Sequence, residues 1–287
     1  MNKDKILEQV LIKFSPPLIF VLVFIGYIFF LKVISLVKRN DLLHRKRFSK
    51  KIYYTVMMWV PISCIILAII YDIKYLLFFV ISGFVGIFGE TILSFLWDIS
   101  LAKPIWTYHA QSAINGYTSK INFFPWVMGS FIFLSIGKIV NIEVERFNFL
   151  GIEVAWYIIA TIFFIIGFVV TIILELFFEY FNKSDNKFLD LKFSLLKFLV
   201  FCFPIFFVYS ILIILGGLKF AILGILFASI GNITEYLYSY FILRIFRTRL
   251  WTYNYLKIDN GHSSLTNLPL WAIAGLCFFI IADILFI

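Results

Sequence analysis

The sequence predicts an all-α polytopic membrane protein of about eight transmembrane helices, arranged as two parallel four-helix repeats. Three observations carry this. Of 287 residues, 62% are apolar and only 14% charged, with a mean hydropathy of +1.00; a soluble globular domain carries about a quarter charged residues. The chain breaks into eight apolar runs of bilayer length. It also matches itself at a shift of 145 residues. Such a composition excludes a water-soluble enzyme, a disordered tail and a nucleic-acid-binding domain. The net charge of +9 sits between apolar runs, where basic residues set orientation and do not recruit nucleic acid.

The expected spans lie near Pro17–Val37, Ile52–Tyr71, Tyr75–Leu96, Phe123–Val140, Ile152–Leu174, Phe193–Leu215, Leu218–Tyr240 and Leu268–Ile287. The first is too long for a signal-peptide core and is read as retained. Pro61 and Pro204 fall inside spans two and six, where neighbours can re-satisfy the freed carbonyl, so kinks are expected and not breaks. Most Lys and Arg fall in or beside the loops after spans one, three, five and seven. The positive-inside rule puts those loops in the cytoplasm and both termini outside, in the plasma membrane of a prokaryote. The densest basic stretch, Lys38-Arg39 to Lys50-Lys51, reads as a stop-transfer segment in contact with anionic lipid, which makes membrane lipids the first partner. Cys64, Cys202 and Cys277 sit in apolar runs without a C-x-x-C pair. His44, His109 and His262 share no ligand spacing, so they read as loop residues. No metal and no cofactor is expected.

Under the shift of 145, Gly86 meets Gly231, Glu90 meets Glu235 and Ser94 meets Ser239. Trp106-Thr107-Tyr108 meets Trp251-Thr252-Tyr253, and Asn115-Gly116 meets Asn260-Gly261. Ser119, Asn122 and Trp126 meet Ser264, Asn267 and Trp271, which makes eleven identities in 41 positions. They are polar, aromatic or glycine, types that apolar composition alone would not align. The chain therefore divides into a repeat over 1–145 and another over 146–287, each with four spans. An even count makes the repeats parallel, with the interface between spans three and seven as the expected site.

Glu90 and Glu235 lie about six residues inside the expected spans, roughly 9 Å into hydrocarbon at 1.5 Å per residue. A carboxylate there must be paired, hydrogen-bonded or protonated. Ser94 and Ser239, one turn on, could donate to it. One reading is a proton-carrying or cation-binding pair in a cavity between the repeats, with the two carboxylates approaching each other; the other is a structural tie to a loop. Trp106, Tyr108, Trp251 and Tyr253 read as interfacial anchors or as part of a binding wall with Trp126 and Trp271. Asn115 and Asn260 begin turn dipeptides suited to positive φ, and Ser119 and Ser264 stand where helix N-caps would be useful. The helix N-termini beyond them could favour an anion. The sequence has no Gly-x-x-x-x-Gly-Lys-Ser/Thr loop, no His-Glu-x-x-His and no Ser-His-Asp order, so no catalytic residue is assigned.

The buried Glu, the Trp-x-Tyr loop, the Asn-Gly-x-x-Ser turn and the aromatic-rich helix after it resemble the bacterial family labelled ABC-transporter type IV. Gly116-Tyr117-Thr118-Ser119 is also similar to a stretch in small animal multi-pass proteins related to it. The likeness covers Gly86–Trp126 and Gly231–Trp271; the usual Asp between Trp and Tyr is Thr107 and Thr252 here. The resemblance implies a permease-type protein that binds a small or amphipathic solute, with a separate ATPase or other membrane subunit as partner. A weaker similarity runs to membrane lycopene cyclases, through Trp97-Asp98 and Trp106-Thr107-Tyr108. Those enzymes carry acids at the start of the following helix, where this chain has Phe124-Pro125-Trp126 and Leu268-Pro269-Leu270-Trp271. The readings are therefore a solute-binding permease, an isoprenoid or lipid enzyme with a buried Glu as acid, or a structural membrane scaffold.

Overall fold

The computed structural model describes residues 50–287 except 102–103, 141–145, 150, 183–194, 247 and 286, together with Val23. Apart from Val23, the first expected span lies outside the described residues, as do His44 and the basic segment up to residue 49. The rest is mostly helical. Helix α1 spans Lys50–Met57, α2 Trp59–Ile70, α3 Lys74–Leu101, α4 Phe123–Val140, α5 Trp156–Asn182, α6 Leu195–Gly216, α7 Leu218–Phe246 and α8 Asn267–Ile284. Among the described residues, seven helices (α1 and α2 counted as one span) are long and apolar enough to cross a membrane. Their outward faces carry large aliphatic side chains, such as Ile69 at 79% and Ile214 at 76% exposure. Water would not sustain so much exposed apolar surface, but acyl chains would.

Two expected features change in detail. In span two the helical hydrogen bonding lapses at Met58, whose backbone stays in the α region (φ −61°, ψ −22°), because Pro61 offers no N–H to the carbonyl four residues back and its ring crowds that turn. Pro204, by contrast, sits in the unbroken α6, where Gly167 of α5 lets the two helices close: a Cβ on Gly167 would lie 2.8 Å from the Pro204 Cα. Span five starts at Trp156, four residues later than Ile152. Ile152–Ala155 is a strand (β5) paired antiparallel with Arg146–Phe149 (β4), around a turn with Gly151 at φ +81°. The β-branched and aromatic residues there are the same types that extend an apolar run, so hydropathy alone merged strand and helix.

Helices α4 and α8 pack on each other and on α3 and α7 at the centre, with α2, α5 and α6 outside them. The seam between the sequence halves is aromatic. Phe133 of α4 packs edge-on against Phe227 of α7 and stacks on Phe278 of α8, with ring centroids 5.2 and 6.2 Å away.

At one end of this centre, the loops after α3 and α7 join. Strand β1 (Trp106–Tyr108) pairs antiparallel with β6 (Trp251–Tyr253) in the register Trp106↔Tyr253, Thr107↔Thr252, Tyr108↔Trp251. The strands are equivalents under the 145-residue shift, and the register is symmetric about the two threonines. His109 Nε2 and Thr252 Oγ1 lie 2.9 Å apart, and Asn254 Nδ2 donates to Thr107 Oγ1 at 3.2 Å. His109 and Asn254 are themselves equivalents, so each half reaches the other's threonine in the same way. Each loop then folds into a small hairpin: β2 (Ser112–Ala113) with β3 (Thr118–Ser119), and β7 (Lys257–Ile258) with β8 (Ser263–Ser264). Asn115 and Asn260 turn these hairpins at φ +55° and +57°, followed by Gly116 at +86° and Gly261 at +91°. Only glycine accepts φ near +90° without strain, and Asn tolerates the left-handed region better than most residues.

Directly opposed residues of an antiparallel pair hold their Cβ atoms about 4.5–5.5 Å apart. A chain carrying both Thr107→Cys and Thr252→Cys is therefore expected to form an internal disulfide under mild oxidation, on a background with Cys277 replaced. Protease cleavage between the halves followed by non-reducing electrophoresis reads it. Two separate fragments from the double variant would refute the pairing.

Candidate functional site

Strand alternation sets the site. Trp106 and Tyr108 share one buried face of β1, as Trp251 and Tyr253 do on β6, while the threonines point the other way. From that buried face Tyr108 reaches down to Glu90 on α3, and Tyr253 to Glu235 on α7. Each tyrosine donates its hydroxyl to one carboxylate oxygen in a short hydrogen bond.

The loop and the next helix supply the remaining donors. Glu90 Oε2 accepts from Thr118 Oγ1 at 2.6 Å, Asn122 Nδ2 at 2.9 Å and Trp126 Nε1 at 3.2 Å. Glu235 Oε2 accepts from Ser263 Oγ at 3.1 Å, Asn267 Nδ2 at 2.8 Å and Trp271 Nε1 at 3.2 Å. The four donors correspond residue by residue under the shift of 145. Three of them converge on Oε2, so at Glu235 the tyrosine is the one donor to Oε1 among the described residues, whereas Glu90 Oε1 also accepts from Asn122 Nδ2 at 3.1 Å. Each carboxylate also lies at the start of a long helix, α4 or α8, where the helix dipole favours a negative charge. The anion that those helix N-termini were expected to attract is thus provided by the chain itself.

The duplicated glycine explains the tryptophan. Gly86 stands one turn before Glu90, and the Trp126 ring lies where a Cβ on Gly86 would be. At Gly231 an added Cβ would sit 2.7 Å from Trp271 Cγ. Glycine gives the indole room and the Glu four residues on takes its N–H. So held, the two rings meet at the seam, centroids 5.4 Å apart, and both remain only half-buried. Pro125 and Pro269, each third in its helix, sit in the first turn, where no helical acceptor is lost.

Glu90 is 5% exposed and Glu235 half-buried, so neither projects freely into lipid. Burial and then the adjoining carboxylate push the Tyr108 and Tyr253 phenols well above their usual range, and Glu90 adds to the effect on Tyr253. Both phenols therefore stay neutral donors at physiological pH.

Several expected roles are corrected. Ser94 and Ser239 do not hold the glutamates. Helical side chains lean toward the N-terminus, so the carboxylates lie over the turn before them, and the serines lie a turn beyond. Ser94 Oγ is buried without a hydrogen-bond partner among the described residues, and Ser239 Oγ meets His262 Nδ1 at 2.9 Å. Ser119 and Ser264 are not N-caps. They donate to carbonyls across the loop, Ser119 to Ala110 at 2.9 Å and Ser264 to Tyr255 at 2.7 Å, closing each hairpin against its own strand. Trp106 and Trp251 are buried and touch neither carboxylate; Trp106 Nε1 donates to the Tyr117 carbonyl at 2.8 Å. Asn115 and Asn260 are exposed at hairpin tips, away from both carboxylates.

Thr118, Ser263, Asn122 and Asn267 are the contributors that sequence reasoning left out of the site. Their signal was a hydroxyl at 118 and 263, and an identical Asn at 122 and 267, just before each aromatic-rich helix. His262 is likewise not a plain loop residue. It is 4% exposed beneath Tyr236 and Tyr240, and burial, aided by the Arg249 charge, lowers its pKa. Trp97 is fully buried against Phe198 and Phe201, while Asp98 accepts from the Tyr117 hydroxyl at 2.8 Å. Among the described residues no three His, Cys, Asp or Glu side chains are grouped for a metal ion.

No protein-family model, no curated protein and no solved structure matches this chain.

Proposed function

We propose that this chain is a permease-type membrane protein that binds a small or amphipathic solute along the aromatic seam between its two sequence halves. The carrying observation is the facing pair Trp126 and Trp271, each fixed by a glycine and a carboxylate yet each keeping ring surface uncovered. Side chains fastened so firmly at a junction of long apolar helices suit a wall that must keep its shape while a solute passes. On this reading Glu90 and Glu235 are positioning residues, and the solute meets indole faces. The likeness to the ABC-transporter type IV family points the same way and adds a separate ATPase or other membrane subunit as partner. A scaffold role has its own support, because every donor to each carboxylate comes from the same half.

Mass spectrometry of the chain extracted from its native membrane tests this. A molecule retained by the wild type and lost in Trp126→Ala/Trp271→Ala, and taken up by proteoliposomes of the wild type alone, is the expected result. A retained isoprenoid that the wild type chemically converts would replace the permease with an enzyme. Nothing retained by either chain would favour the scaffold.

A further inference from the structure

The two carboxylate sites differ in one respect that the repeat conceals. At the first, the Thr118 hydroxyl hydrogen goes to Glu90 alone, 2.6 Å away, because the residue equivalent to Asn232 is Ile87. At the second, the Ser263 hydroxyl faces two acceptors, Asn232 Oδ1 at 2.5 Å and Glu235 Oε2 at 3.1 Å. A hydroxyl has one hydrogen to give, so with the Asn232 amide oxygen turned to Ser263, as here, one of these oxygens goes without it.

A third oxygen is short as well. Asn267 is 2% exposed and its Oδ1 is buried with no partner in the described structure. Its Nδ2 donates to Glu235 Oε2 and to the Tyr253 hydroxyl, so turning the amide over would place oxygen against a carboxylate. The orphan acceptor is therefore fixed beside the site. Burying such an acceptor is unfavourable unless something meets it.

We propose that the second site, and not the first, binds a single alkali cation between Glu235, Asn232, Ser263 and Asn267. The donor set is all oxygen, which suits a hard ion. One carboxylate with otherwise neutral ligands matches one positive charge, whereas a divalent ion would leave an unbalanced charge in an apolar helix region, at high cost. The route in is consistent: Glu235 is half-buried, whereas Glu90 is closed off at 5% exposure. The ion takes the place of the missing hydrogens and removes the competition for the Ser263 hydroxyl. This site stands whether or not the seam carries a solute.

The test is thermal unfolding of the full detergent-purified chain in sodium, potassium or choline chloride at equal ionic strength. A ligand that binds only the folded state raises the melting temperature with the logarithm of its concentration. The wild type is expected to melt several degrees higher in sodium or potassium than in choline, which is too large for the site. Asn232→Ile, which copies the first site, is expected to lose that difference, and Glu90→Gln to keep it despite a lower baseline. Equal melting of the wild type in all three salts, the behaviour of a trapped water, would overturn the proposal. So would an undiminished salt difference in Asn232→Ile. If Asn232→Ile does not fold, radiolabelled sodium decides: saturable binding of one ion per wild-type chain supports the site, and its absence overturns it.

Discussion

Glu90→Leu is expected to lower the melting temperature of the detergent-purified chain by roughly 10 °C or more. The leucine removes an acceptor that serves Tyr108, Thr118, Asn122 and Trp126; Tyr108 and Thr118 are held by strands, Trp126 by α4 and Asn122 by the turn just before it, so none can simply turn away. Removing one partner of a buried, hydrogen-bonded charge costs about 3–5 kcal/mol, and in a chain of this size each kcal/mol moves the midpoint by about 2–4 °C. Glu90→Gln is expected to lose less, because it keeps one oxygen acceptor while turning an amide toward donors. The melting curve by intrinsic fluorescence reads both. A leucine variant within a degree or two of wild type would mean that water reaches these donors and that the carboxylate is not their anchor.

Gly231→Ala should be the more informative change, because helix propensity predicts the opposite sign. Alanine for glycine inside an exposed helix gains about 1 kcal/mol. At Gly231 the new methyl would fall 2.7–2.8 Å from three atoms of Trp271. The indole must move, surrendering its bond to Glu235 and its contact with Trp126, and overpacking of this kind costs about 1–3 kcal/mol. Gly89 is the control. It lies one residue before Glu90, nothing stands within 4 Å of an added Cβ, and the equivalent position already carries Thr234. Gly89→Ala is expected to leave the chain slightly more stable and Gly231→Ala clearly less so. If the two alanines behave alike, the tryptophans are not seated on the glycines.

The spans were legible because bilayer thickness imposes a length on apolar runs, and Phe123–Val140 is a helix over the very residues that hydropathy marks. The start of span five was not, because the strand Ile152-Glu153-Val154-Ala155 carries three apolar residues straight on to the helix, and one Glu at its outer end does not break the signal. The site was legible as a set of types and illegible as a set of contacts. Duplicated Gly, Glu, Tyr, Asn and Trp announce a shared purpose. Which of them touch depends on side-chain direction along a helix, and that is why Ser94 and Ser239, correctly spaced, reach the wrong turn. The meeting of the two Trp-Thr-Tyr strands left no mark that three residues could carry, since alternation needs a longer run to be read.

The symmetric register of that strand pair has a consequence for ancestry. A strand that binds its own counterpart antiparallel, residue for residue about its middle, is its own complement. A chain of half this length bearing one such loop would need no second kind of partner: two identical copies would meet isologously, as in a two-fold homodimer. Joining the copies end to end would then preserve an assembly already in place. It would also free each copy to vary alone, as isoleucine at 87 and asparagine at 232 do now. The difference between the two carboxylate sites would in that case be younger than the contact that unites them.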